Sequence, residues 1–308
     1  MSKLLQNLSA DIGSTKGVSD RTVLEYGRRA SMLTEATGKN TLEKVLSMSA
    51  DRAYLKLRRK YSNVSTLKCI VTMILSAYSH SPAFALKHAT VHEEWMVIHK
   101  ELADLERRAA EDNRSTEKST KTMPTPSQIA AALKKLKPRR LESLIASQQY
   151  LLIRLLCDHP PKRLDYGELR VGSKRPKQYE GNYIVLPAKG AATLVLTKYK
   201  TADSMGTFTE KLPADISDDI RESMAHFPRA HLFVGKRGAE MSDALFASFI
   251  TDTFKEHTNK AAGITSLRHA YITAHCDPNV KTIAELKKIA CSMNHSYDMQ
   301  QHYRVVPR

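Results

Sequence analysis

The sequence predicts a mainly α protein with a small antiparallel β-sheet, folded as two domains on either side of a polar linker. Three observations lead there. From Asp20 to about Arg108, apolar residues recur at helical spacing with few glycines and one proline, Pro82. Residues 109–127, AAEDNRSTEKSTKTMPTPS, are Ser, Thr, charges and two prolines with no recurring apolar position, which marks a linker. Past it, a strongly apolar helical stretch gives way to short strand candidates and then to further helices.

In chain order, residues 1–18 have little periodicity and read as a loose arm. Asp20 offers an N-cap, and Val23, Tyr26 and Ala30 mark the buried face of a first helix. A second helix fits residues 41–46 with Thr41 as cap, and a third fits 51–61. A fourth begins near Ser65, and residues 83–105 complete a bundle. Beyond the linker, residues 141–156 (LESLIASQQYLLIRLL) form a buried helix that must stop at Pro160-Pro161. Strands are expected at 164–171, 183–186, 192–199 and 207–212, with a turn at Asp203–Gly206 between the last two. Helices at 215–226 and 242–257 follow, separated by a short strand at 231–235.

Composition narrows the function classes. A chain of 308 residues, 42% hydrophobic and 26% charged, suits two soluble domains. Lys and Arg outnumber Asp and Glu by 48 to 32, a net charge of +16, which favours a polyanionic partner, nucleic acid before membrane. The longest apolar run, Cys69 to Ala77, is too short to cross a bilayer, and the first residues lack a signal-peptide core. Four scattered cysteines make no disulfide framework, so a soluble, intracellular protein is expected. No phosphate-binding glycine motif is present, and the Cys291/His295 and His275-Cys276 pairs lack zinc-site spacing. No metal and no cofactor are expected.

The most informative stretch lies at the end. Ser266-Leu267-Arg268-His269-Ala270-Tyr271-Ile272-Thr273 is followed by Met293-Asn294-His295-Ser296 and then by Gln301-His302-Tyr303-Arg304. Taken singly, each residue has a bland explanation: a tyrosine near a C-terminus usually packs, and a loop arginine is usually solvated. Together, in this order and spacing, they resemble the C-terminal signature of the tyrosine recombinases, the phage-integrase family. The box around His295 and the helix LRHAYIT are most similar to the branch found in large DNA viruses and their mobile elements.

The resemblance implies the rest. Residues 19–108 become a helical DNA core-binding domain and 128–308 the catalytic domain, the two closing as a clamp on duplex DNA with the basic linker 109–127 alongside. Arg163, after Pro160-Pro161-Lys162, stands where the family keeps its first catalytic arginine, and Arg268 is the second. Lys200, at a hairpin before Gly206, takes the place of the family lysine; Lys198 lies on the same strand face and competes for the role. His295 would hold the scissile phosphate and Tyr303 would be the nucleophile. One position departs: three residues before Arg268 the family usually has His, and here Thr265 stands, which cannot exchange a proton near neutrality. His269 follows Arg268 and should face elsewhere on the helix, so it is not a simple replacement. Asn294 replaces a usual Gly, a milder change because Asn tolerates left-handed backbone. Tyr297 falls too early for the nucleophile and should pack.

The chemistry fits these residue types. Arginine stays charged and presents a fork of donors matched to phosphate oxygens. A tyrosine ester keeps the bond energy for religation, and a lysine can protonate the departing 5′-hydroxyl. The implied activity is site-specific cleavage and rejoining through a 3′-phosphotyrosine, without ATP or metal, by four protomers on two synapsed duplexes. Arg58, Arg59, Lys60 and Lys198 are further candidates for phosphate contact. A DNA-associated compartment such as the nucleus follows. Two alternatives share the constellation: a type IB topoisomerase, and a non-catalytic DNA-binding protein that has kept the fold.

Overall fold

The computed structural model describes residues 20–111, 121–163, 165–174, 179, 181–199 and 202–304. The chain divides into two compact units, Met1–Asp112 and Asn113–Arg308.

The described residues of the first unit hold helices and no strand. It runs α1 (Asp20–Thr37), α2 (Leu42–Leu46), α3 (Ala50–Lys60), α4 (Val64–Ser79), α5 (Pro82–Lys87) and α6 (Ala89–Glu111). Local chemistry sets the starts. Thr41 accepts the backbone N–H of Lys44 to begin α2, and Asn63, two residues before the expected start at Ser65, does the same for α4 through Thr66. Pro82 opens α5, where a missing N–H costs nothing. The helix expected over 83–105 is in fact two, broken at His88, whose ring packs on Phe84. Leu33, Leu46, Leu57, Ile70, Ile74, Tyr78 and Trp95 are fully buried, each contributing roughly 1.5–3 kcal/mol of apolar burial. Two polar ties lock the bundle: Tyr78 donates its hydroxyl to the Leu46 carbonyl at 2.6 Å, and Glu94 accepts the first N–H of α3 at 2.9 Å.

The second unit opens with α7 (Pro126–Leu136), started by a capping box between Thr125 and Gln128. Next comes α8 (Leu144–Ile153), capped by Ser143 three residues after the expected start. It widens into a π turn, Arg154–Asp158, before the double proline stops it. The Arg154 guanidinium gathers Asp158 at 3.0 Å, Asp219 at 3.2 Å and Asp215. The four strands are β1 (Arg170–Gly172), β2 (Tyr183–Val185), β3 (Thr193–Leu196) and β4 (Phe208–Lys211), side by side in that order. Between β3 and β4 lies a short helix, α9 (Ala202–Met205), ended by Gly206 at φ 71°.

The sheet is mixed rather than antiparallel: β2–β3 and β3–β4 are antiparallel, but β1 runs parallel to β2. The reason is tertiary. The outer edge of β1 pairs with another segment, Val171 N–H to the Ala230 carbonyl at 2.9 Å. That segment, 231–235, forms only isolated bridges in place of the expected strand. The remaining helices are α10 (Ala214–His226), α11 (Asp243–Thr258), α12 (Ile264–His275), α13 (Ile283–Ser292) and α14 (Tyr297–Tyr303). Leu151, Leu156, Ile184, Leu194, Phe233, Phe246, Phe254 and Leu267 share one core, which fixes α12 against the end of α8 and the sheet.

Candidate active site

Arg268, one and a half turns into α12, is 2% exposed although it is an arginine. A buried cation needs hydrogen-bond partners, and it has them. Its Nη1 donates to the Pro161 carbonyl at 2.7 Å and to the Met293 carbonyl at 3.2 Å. Its Nη2 donates to Met293 at 3.2 Å and to Nδ1 of His295 at 2.7 Å. Arg268 therefore ties the loop carrying Arg163 to the turn carrying His295. Among the described residues no carboxylate pairs with it, and burial lowers its pKa.

His295 is placed by the way α13 ends. Asn294 sits in left-handed backbone at φ 55°. The N–H of His295 bonds the Ala290 carbonyl at 3.2 Å and that of Asn294 bonds Cys291 at 3.0 Å, a complete Schellman motif. The start of α13 is equally firm, a capping box of Thr282 and Glu285. Because the guanidinium can only donate, Nδ1 of His295 accepts, and the ring proton of the neutral imidazole sits on Nε2. Burial, then Arg268, Arg163 and Lys162, push its pKa down to about 4, so it is neutral at physiological pH. Nε2 is buried without a hydrogen-bond partner.

Tyr303 closes the group at the last residue of α14. Its ring centroid lies 5.3 Å from Cζ of Arg268, 5.6 Å from the stacked ring of His295 and 4.8 Å from the ring of His269. His269 does not face away: its Nδ1 lies 2.6 Å from the Tyr303 carbonyl oxygen. Below, Tyr303 and Tyr297 pack with Ile272, Cys276, Leu286 and Met293, so α14 rests on α12 and α13.

Arg163 is exposed, at the rim, and its charge reaches both Arg268 and His295. Thr265 is exposed one turn before Arg268 on the same helix face, among the uncapped first residues of α12. Lys200 lies outside the described residues. Lys198 is exposed at the end of β3, where its N–H and that of Thr197 are held at 2.9 and 3.0 Å by Oδ1 of Asn182. Asn182 also donates to the carbonyls of Asp165 and Lys198, binding the Arg163 loop to the hairpin. Burial raises the pKa of Asp165 to about 6.

Sequence reasoning passed over Lys162, Glu210 and His159. Lys162, 0% exposed, meets Glu210 of β4 at 2.9 Å and lies 4.0 Å from the Phe208 ring centroid; burial lowers its pKa. Burial would raise Glu210, but His159 and Lys162 outweigh it and hold the carboxylate below its usual range. A lysine beside an arginine after two prolines carries no sign that it is the buried one. In the first unit, Arg58 and Arg59 are exposed in the last turn of α3, and Lys60 pairs with Glu35. Among the described residues, no group of three or more His, Cys, Asp or Glu could hold a metal ion, and no helix is long and apolar enough to cross a membrane.

No family model matches the sequence, and no curated protein does. Solved structures do match. A lambda integrase dimer bound to a COC′ core site aligns over 97% of this chain and 76% of its own, with TM-score 0.60 and 12% identity. A lambda integrase tetramer bound to a Holliday junction aligns over 98% and 76%, with TM-score 0.58 and 10% identity. The 75–356 portion of lambda integrase on the same core site aligns over 97% and 94%, with TM-score 0.57 and 13% identity. The fold is that of the tyrosine recombinases. At such identities the likeness lies in the backbone, and the recombinase fold here is filled with a largely different set of side chains.

Proposed function

We propose that the chain is a site-specific DNA recombinase that cuts and rejoins DNA through a phosphotyrosine at Tyr303. The observation that carries this reading is convergence: Arg268, His295 and Tyr303 come from three separate segments and meet, with Arg163 on a fourth segment near enough for its charge to act on Arg268 and His295. Cleaving a phosphodiester requires donors where negative charge develops, each preorganised donor being worth on the order of 3 kcal/mol. Arg163 offers a solvent-facing guanidinium fork. Arg268 has given its four Nη hydrogens to Pro161, Met293 and His295, so it acts by its charge, by its unpartnered Nε–H or by yielding one of those bonds. His295 donates through Nε2–H to a phosphate oxygen. Lys200, with Lys198 as the competing residue, protonates the leaving 5′-oxygen. Thr265 supplies a hydrogen bond where a proton-transferring group is usual.

Double-stranded DNA is the partner, in keeping with the +16 charge and with lambda integrase, whose solved dimer and tetramer are bound to DNA. By the same likeness, four protomers act on two duplexes. The non-catalytic reading is favoured by one observation, the internal use of every Nη hydrogen of Arg268. Covalent trapping separates the two. The protein is incubated without added metal on nicked duplexes tiled across the DNA flanking its own gene, then denatured. A DNA-linked band that is lost in Tyr303→Phe and kept in Tyr297→Phe is expected. A band surviving Tyr303→Phe excludes this nucleophile, and tight binding without any band supports the non-catalytic protein.

A further inference from the structure

The three groups around the Tyr303 ring offer different chemistry. A tyrosine that attacks phosphorus must lose its hydroxyl proton, so one neighbour must accept it. Arg268 has only donors. His295 has spent its acceptor nitrogen on Arg268, and its other nitrogen carries the proton. His269 is the reverse. A carbonyl oxygen can only accept, so the 2.6 Å contact with the Tyr303 carbonyl places the proton of His269 on Nδ1 and its lone pair on Nε2. Its ring stands 4.8 Å from the phenol ring. Burial, with the adjacent Arg268 opposing protonation, keeps it neutral near pH 7.

We infer that His269 both anchors the nucleophile, through the Tyr303 carbonyl, and accepts its phenolic proton at Nε2. The inference rests on Tyr303 being the nucleophile. As the Tyr303 Oη–phosphorus bond forms and the phosphorus–5′-oxygen bond breaks, the phenolic proton passes to His269 and the 5′-oxygen takes its proton from the lysine. Religation returns the proton from the imidazolium to the phenolate. The residue fills a gap that Thr265 leaves, from a different position on the same helix. The charged and titratable groups that act on it are Arg268 on α12 and Tyr303 on α14, and Tyr303 in turn stacks with His295 from the turn after α13.

Two measurements test it. In the free wild-type protein, ¹⁵N shifts of the imidazoles should show His269 as the Nδ1–H form; an Nε2–H form overturns the inference without any DNA. On the nicked duplexes above, His269→Asn keeps an N–H for the Tyr303 carbonyl but has no basic nitrogen. It should bind DNA normally and form adduct roughly 10²–10⁴-fold more slowly, with a rate that climbs with hydroxide concentration where the wild type is flat. His269→Ala should be slower still, the further loss measuring the anchoring. Adduct formation by His269→Asn at the wild-type rate and pH profile removes the proton-accepting role and leaves Tyr303 standing. No adduct from the wild type itself removes the nucleophile and this inference together.

Discussion

Two basic regions of this chain differ in how their charge is held. On α3, Arg58 and Arg59 project from an exposed helix end, and Lys60 meets Glu35 across the surface. In the second unit, Arg268 is buried and fixed by backbone carbonyls 107 and 25 residues away in sequence. The first arrangement costs little to make and is screened by salt. The second requires the fold to supply partners for a buried cation, here for both Nη groups while Nε stays unpartnered. Charge on a surface can attract DNA; only charge fixed by the fold can align a phosphate with a nucleophile.

The largest effect should come from breaking the fixed site. Arg268→Ala leaves the Pro161 and Met293 carbonyls and Nδ1 of His295 without their donor, and should cost about 3 kcal/mol in denaturant unfolding together with all adduct formation. Arg268→Lys should not restore cleavage, since one ammonium cannot replace the fork. If Lys restored it, the role of Arg268 would be charge alone.

A smaller loss is expected behind the site. Lys162→Met leaves Glu210 with His159 alone and should destabilise by about 2 kcal/mol, while Lys162→Met with Glu210→Leu should recover most of it. Additive losses in the double variant would mean that the two groups do not act as a pair.

Next comes pH. The His295 pKa is depressed from 6.5 to about 4 in the fold, so the unfolded chain binds the proton more readily between those values. Its contribution to stability is present above pH 6.5 and lost as pH falls toward 4. Asp165 is raised from 3.8 to about 6, so its contribution has the opposite sign and is lost as pH rises through that window. His295→Gln should therefore flatten the acid side of the stability curve, and Asp165→Asn should steepen it. Unchanged curves in both would mean that neither group is held as described.

The smallest effect on folding belongs to the surface. Arg59→Ala should change stability by less than about 0.5 kcal/mol, yet weaken DNA binding evenly across sequences and lower the salt slope by about one. A sequence-dependent loss would make Arg59 a base contact.

Much of the fold was legible because its signals are local. Thr41 capping α2, the stop at Pro160-Pro161, the hairpin strands β3 and β4 and the left-handed Asn294 each follow from a few adjacent residues. The order Arg163, Arg268, His295, Tyr303 was legible in the same way, as residue types at recurring spacings. What the sequence could not express is direction and partnership. The parallel run of β1 depends on a segment some sixty residues downstream, at Ala230. That Lys162 and not Arg163 is the buried cation depends on Glu210, 48 residues on. That His269 meets Tyr303 depends on α14 lying across α12, joining residues 34 apart. Local rules determined which elements form and where they end, because capping, periodicity and proline act within a turn. The tertiary structure decided which nitrogen of His269 and of His295 carries the proton, because only a specific acceptor or donor, brought in from far along the chain, can choose between them.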